Sequence, residues 1–179
     1  MWNKNDNTIP ALICEGGAER AIIDLLLDND KLLFSRDDLL SGDIIKERDA
    51  PTFQKKYLRM SLEKKIVLFR VLDSRRENFR LGVAYRDKVS VKNVITAPEI
   101  EMLYIISVGK YSDYMRVGGP SAIKPSDYCI KVLKAKRVKK PEFITQHFKS
   151  IDFLIDVLKE YKRLSCIRKG EYTITDLLK

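Results

Sequence analysis

Pro10-Ala11-Leu12-Ile13-Cys14-Glu15-Gly16-Gly17, continued by AERAIIDLLLDN over residues 18–29, is the stretch on which the fold turns. Ala11 to Cys14 is a short apolar run stopped by Glu15 and two glycines, the pattern of a buried strand ending in a tight turn. In the segment that follows, Ala18, Ile22, Leu25 and Leu26 recur at helical spacing, and Asn29 suits a helix end. Strand, glycine turn, helix is the opening unit of an α/β sheet.

Working outward, Lys65 to Leu72 (KIVLFRVL) is the clearest strand, and it halts at Asp73. Val89 to Thr96 is expected to be another strand, with Pro98 opening a helix that Glu99 to Val108 fills. Between these, Lys31 to Phe34 reads as a second short strand and Ser35 to Asp49 as a polar, aspartate-rich excursion. Pro51 opens a helical stretch to about Met60, and Ser74 to Lys88 is basic and irregular. Alternating strands and helices predict an α/β fold, a mostly parallel sheet flanked by helices, over residues 10–108. Residues 109–179 are expected to form a basic, mainly helical C-terminal part. Gly118-Gly119-Pro120 breaks the chain, Ser126 is a candidate cap, KAKRVKK (134–140) is a basic run, and Pro141 to Leu164 reads as one helix. The final TITDLLK is expected as a short strand or loosely held end. A length of 179 residues suits one domain, 1–179.

Composition mainly excludes. At 45% apolar and 33% charged with eight glycines, the chain is neither disordered nor fibrous. The start, MWNKNDNTIPALICEGG, has no basic segment leading into a long apolar one, so no signal peptide is expected. No run of ~18 apolar residues exists, so no membrane span is expected. Cys14, Cys129 and Cys166 are odd in number and far apart, which fits reduced thiols and a cytoplasmic setting. One histidine, His147, leaves little material for a structural zinc site or a serine-type triad. The net charge of +9 is uneven, −5 over residues 1–50 and +14 over residues 51–179. Such an imbalance fits a polyanion-binding face beside a group of carboxylates.

Three segments share one pattern, an apolar run followed by an acid: ALICEGGAE, IVLFRVLDSR and NVITAPEIE. A single acid after a strand is ordinarily a cap or a solvated loop residue. Three of them at one sheet edge repel unless a cation lies between them. Mg²⁺ (or Mn²⁺) suits such a site, because it takes oxygen ligands, keeps waters and often uses one or two carboxylates plus phosphate. Carboxylates with basic neighbours are what phosphodiester chemistry needs.

ALICEGGAERAIIDLLL resembles the first motif of Toprim-type domains, in which a strand delivers a glutamate, then glycine, a turn and a helix. IVLFRVLD resembles the second motif, the strand that ends in Asp-x-Asp. TAPEIEMLYII resembles the helix start of the small RloB-like Toprim proteins of phage-resistance and mobile elements. The resemblance spans roughly residues 10–108. It implies a parallel sheet with a divalent-metal site acting on nucleic-acid phosphodiesters, with Glu15, Asp73 and Glu101 as catalytic and metal-ligating residues. One departure is plain: Asp73-Ser74-Arg75 puts arginine where the second acid of Asp-x-Asp belongs. The resemblance therefore leaves two functions open, a Mg²⁺-dependent nuclease or a catalytically inactive module that binds nucleic acid or a protein partner.

The basic residues supply the second half of the expectation. Arg70, Arg75, Arg76, Arg80 and Arg86 surround the Asp73 strand end, more than Asp73 and Glu77 can pair. Arg75, Arg76 and Arg80 are accordingly candidate phosphate contacts, as are Lys134, Lys136, Arg137, Lys139 and Lys140 of the basic run. DNA and RNA stay open as the nucleic acid, and so does a homo-oligomer. The remaining residues carry plainer expectations. Glu19 is placed on an exposed first turn favoured by the helix dipole. Cys14 is expected as a buried, inert thiol, and His147 as a surface or satisfied residue. Tyr111, Tyr114 and Tyr128 divide between base stacking and core packing. Glu99 and Glu101 are not ranked by spacing alone.

Overall fold

A computed structural model describes residues 2, 6–59, 63–75 and 78–179. Among them, three parallel strands lie in the order β1 (Thr8–Cys14), β2 (Lys65–Leu72), β3 (Val89–Ile95). The register pairs Cys14 with Val71 and Leu72 with Ile95, so the three strands finish together. Glu15 and Asp73 each follow a strand's last residue, which puts the expected acids at one edge of the sheet.

Alternation along the strands builds two cores. Leu12 and Cys14 of β1 and Phe69 and Val71 of β2 face the larger one, while Ala11, Ile13, Ile66 and Leu68 face the smaller one. The larger core is covered by α1 (Gly17–Asp28), α3 (Met102–Ser107), α6 (Pro125–Lys131), α7 (Pro141–His147) and α8 (Ile151–Leu164). Burying a leucine or isoleucine here contributes about 1.5–3 kcal/mol. The smaller core is closed by α2 (Ala50–Phe53), the π-helical turn Gln54–Leu58 that continues it, and Leu81. Two short helices, α4 (Tyr111–Arg116) and α5 (Gly119–Ala122), complete the helical side. This is the α/β fold the alternation predicts. Among the described residues, no helix is long and apolar enough to cross a membrane.

Both outer strand edges are occupied by irregular chain. Leu40 and Ile45 donate to the Pro10 and Leu12 carbonyls (2.9 and 2.8 Å) along β1, and Ile95 donates to the Tyr172 carbonyl (2.7 Å) along β3. Covering edges in this way removes a template for strand-to-strand association.

Several boundaries differ from the sequence expectation. Lys31 to Phe34 forms only an isolated bridge, Leu32 to Leu178, and no strand. The helix expected from Pro98 begins at Met102. The helix expected over 141–164 is two helices, broken at Phe148 to Ser150, where the Ser150 hydroxyl accepts the Phe153 N–H (3.3 Å). The break re-phases the apolar stripe of α8 to Leu154, Val157, Leu158 and Tyr161, all buried. The cap expected of Ser126 is supplied by another residue: Glu99 accepts the Ser126 N–H at 2.8 Å. The tail is not loose. Thr173 and Asp176 form a reciprocal capping box, and Ile174 and Leu177 are buried. Met60, the expected end of the helix from Pro51, lies outside the described residues.

Candidate functional site

The site begins with the end of β1. The Glu15 N–H donates to the Val71 carbonyl (2.9 Å), which carries the ladder one residue past the strand. The Glu15 carboxylate then accepts the Asp73 N–H at 3.0 Å, so the two acids stand side by side at neighbouring strand ends. Asp73 is exposed and Glu15 half-buried.

Glu19 is where the structure corrects the sequence most. In place of an exposed first turn, it is buried at 5% exposure. Its carboxylate lies back over Gly16, where an added Cβ would come within 2.3 Å of Oε2. Only glycine leaves that carboxylate its place. Burial, with repulsion from Glu101, Asp73 and Glu15, pushes the Glu19 carboxyl up to about 7. Glu101 is also 5% exposed, and burial raises its carboxyl as well, with Glu99 and Asp73 adding to the rise and Lys139 opposing it. The site therefore contains four mutually repelling carboxylates, of which Glu19 was missed by sequence reasoning. The capping engagement of Glu99 with α6 separates it from Glu101, a distinction spacing alone did not make.

The basic run is brought to this site by tertiary packing. It is a loop between α6 and α7, not a helix end, with Ala135 and Val138 buried beneath it. Lys134, Lys136, Arg137, Lys139 and Lys140 are all exposed. Lys134 has a φ of +59° and its Nζ donates to the Lys131 carbonyl (2.9 Å). The loop ends at Pro141, whose ring lies 3.2 Å from where a Cβ on Gly17 would stand. The Lys139 charge is felt at the Glu101 carboxyl. Basic loop and glutamate turn are thus neighbours although 119 or more residues separate Glu15 from the run.

The arginines are more divided. Arg75 donates from Nε to Glu171 Oε1 (2.8 Å) and from Nη2 to Glu171 Oε2 (3.1 Å) and to the Cys166 carbonyl (3.0 Å). This bidentate pair ties the end of β2 to the C-terminal segment and turns the guanidinium toward Glu171. Arg70 is buried at 2% exposure, 4.7 Å above the Phe79 ring, and Arg86 donates to the Leu81 carbonyl (3.4 Å). Arg80 is exposed; Arg76 lies outside the described residues, as does Glu77.

Other candidates resolve into packing. Cys14 is buried, and burial pushes its thiol well above the usual range. His147 Nε2 lies 2.7 Å from the Ser107 hydroxyl among Tyr104, Phe143 and Phe148, and burial lowers its pKa. Tyr114 and Tyr128 pack edge to face at 4.9 Å inside the core, whereas Tyr111 is half-buried.

Among the described residues, no three His, Cys, Asp or Glu side chains are gathered as a ready metal cage. The donor set nonetheless fits Mg²⁺. It is all hard oxygen, its members repel one another, and Mg²⁺ needs only one or two carboxylates when water and phosphate complete its shell. No protein-family model matches this chain, and the curated proteins and solved structures return no match.

Proposed function

We propose that this chain is a Toprim-like, Mg²⁺-dependent phosphodiesterase acting on nucleic acid in the cytoplasm, in an anti-phage or mobile-element setting. One observation carries the reading: the basic loop 134–140 leads into Pro141, which packs on Gly17 of the glutamate turn, so that the Lys139 charge bears on Glu101. Polyanion-binding charge and repelling carboxylates then share one rim, the pairing that phosphodiester cleavage requires. Of Glu15, Asp73 and Glu101, one or two would hold the cation directly, with water and phosphate completing its shell and Glu19 behind them. Bound there, a divalent cation neutralises phosphate charge and acidifies water. Lys139 and its neighbours hold the nucleic-acid backbone, and the exposed Asp73 faces the entering phosphate. Glu19, raised to about 7, shares its proton with solvent near neutral pH, and a cation beside it would favour the charged form. The setting rests on the resemblance to the RloB-like group.

A second reading, a silent Toprim-like module that binds nucleic acid or a protein partner, is favoured by Arg75. It replaces the second acid of Asp-x-Asp and is engaged by Glu171. Labelled DNA and RNA oligonucleotides incubated with Mg²⁺ or Mn²⁺ separate the two. The nuclease reading expects cleavage that Glu15→Gln and Asp73→Asn abolish. Binding without cleavage favours the silent module, and cleavage that survives both substitutions refutes the site.

A further inference from the structure

A cavity of about 330 Å³ opens beyond the end of β3, on the side of the sheet where β1 and β2 also finish. Its walls come from residues that directly follow the site: Arg75 is two positions after Asp73, Met102 is next to Glu101, and Ala97 and Pro98 continue from β3. A separation of one or two residues keeps the Arg75 and Met102 backbone within about 7 Å, along the chain, of Asp73 and Glu101. Tyr161 closes the cavity from α8, and its hydroxyl donates to the Ala97 carbonyl at 2.7 Å. Tyr111 and Met115, from α4, line the cavity and are at least partly open to solvent.

The shape and chemistry of this cavity narrow its occupant. The volume is at the small end of ligand pockets, about 300–1,000 Å³. The Tyr111 ring and the Met115 thioether, both partly open, offer flat, polarisable surface, and methionine adapts to an aromatic face. Arg75 is anchored by Glu171 and the Cys166 carbonyl, so the wall on that side is fixed. A group bound here must be apolar on its faces and attached to an anion lying at the Asp73, Glu101 and Lys139 rim. An unstacked base on a phosphodiester chain meets both demands.

We infer that this cavity receives a single nucleobase of the substrate strand, next to the phosphate at the carboxylate edge. The inference rests on the nucleic-acid reading above and gives it a substrate class, single-stranded or locally unpaired nucleic acid. A paired base has to be extruded first, at a cost of a few kcal/mol, so duplex binds more weakly than single strand. Stacking on one aromatic side chain is worth roughly tenfold in affinity.

The test is binding without divalent cation, using fluorescein-labelled single-stranded heptamers, in DNA and RNA form, with one abasic site moved along the strand. Wild type is expected to lose about tenfold at one abasic position and little at the others. Tyr111→Ala weakens the intact heptamer by about the same factor, and the abasic site then costs less than twofold more. Met115→Trp fills the cavity and weakens binding likewise, with circular dichroism confirming the fold of both variants. Equal affinity for all abasic heptamers, or wild-type affinity in both variants, overturns the inference, as does a failure to bind any heptamer. Because the binding assay contains no cation, absence of cleavage in the separate Mg²⁺ assay would count against the phosphodiesterase while leaving a positive base signature intact. Cleavage without that signature would remove the cavity from the account and leave the phosphodiesterase.

Discussion

Helix α1 contributes to two acidic clusters of opposite character. Along its exposed side, Asp24 and Asp28 accept from Arg36 (2.8 and 2.7 Å), which also reaches Asp43 (2.9 Å), while Arg20 pairs with Asp43 at 2.8 Å. In its first turn, Glu19 is buried among Glu15, Asp73 and Glu101, and the Lys139 charge acts on Glu101. The electrostatic outcome differs accordingly. Partial burial opposes ionisation of Asp43, yet the Ile44 N–H and the two guanidiniums hold its carboxyl below the usual range, whereas Glu19 is pushed up to about 7. Acid count therefore says little about chemistry; what distinguishes Asp43 from Glu19 is that guanidiniums hold the first while burial among other acids raises the second.

The contrast breaks most sharply on cleavage. Glu15→Gln or Asp73→Asn should lower Mg²⁺-dependent cleavage by about 10²–10⁴-fold, while Asp43→Asn leaves it within twofold in the same gel assay. A comparable loss in Asp43→Asn would erase the distinction.

Stability against pH sharpens it next. The Glu19 carboxyl lies above its unfolded value of 4.5, so the folded state holds more protons than the unfolded between about pH 4.5 and 7. Stability therefore falls as pH rises through that window, by about 3 kcal/mol in all. Glu19→Gln should flatten the fall and be the more stable protein at pH 8 by urea unfolding. A steeper or unchanged slope would show that Glu19 is not held neutral. Asp43 behaves in the opposite sense, since its stabilisation is present above the unfolded value and lost as pH falls below it.

Smaller effects follow from the paired cluster. Arg36→Met leaves Asp24, Asp28 and Asp43 facing one another, and the partly exposed network should lose about 1–2 kcal/mol, less at high salt. The smallest expected change is at the rim: Lys139→Ala should reduce the salt dependence of nucleic-acid binding by about one unit of slope, by fluorescence anisotropy. An unchanged slope would detach the loop from the nucleic acid.

Legibility from sequence followed the range of the interactions. Apolar runs bounded by acids located β2 at Lys65–Leu72 and brought Glu15 and Asp73 to one edge, because strand ends are local features in a parallel sheet. Glu19 was not legible. Its carboxylate lies over Gly16, and the turn that carries it is packed by Pro141, more than 120 positions downstream. The basic loop had the same difficulty: its composition was plain, but its position beside Glu101 depends on where Pro141 docks. Likewise, nothing local announces that Arg75 pairs with Glu171, 96 positions downstream.

The central claim is that a divalent cation belongs to the strand-end carboxylates and not to the paired cluster. Anomalous diffraction from a crystal soaked in Mn²⁺ tests it most directly. The account predicts one strong peak bounded by Glu15, Asp73 and Glu101. A peak at Asp24, Asp28 and Asp43 instead, or none at the strand ends, would contradict it.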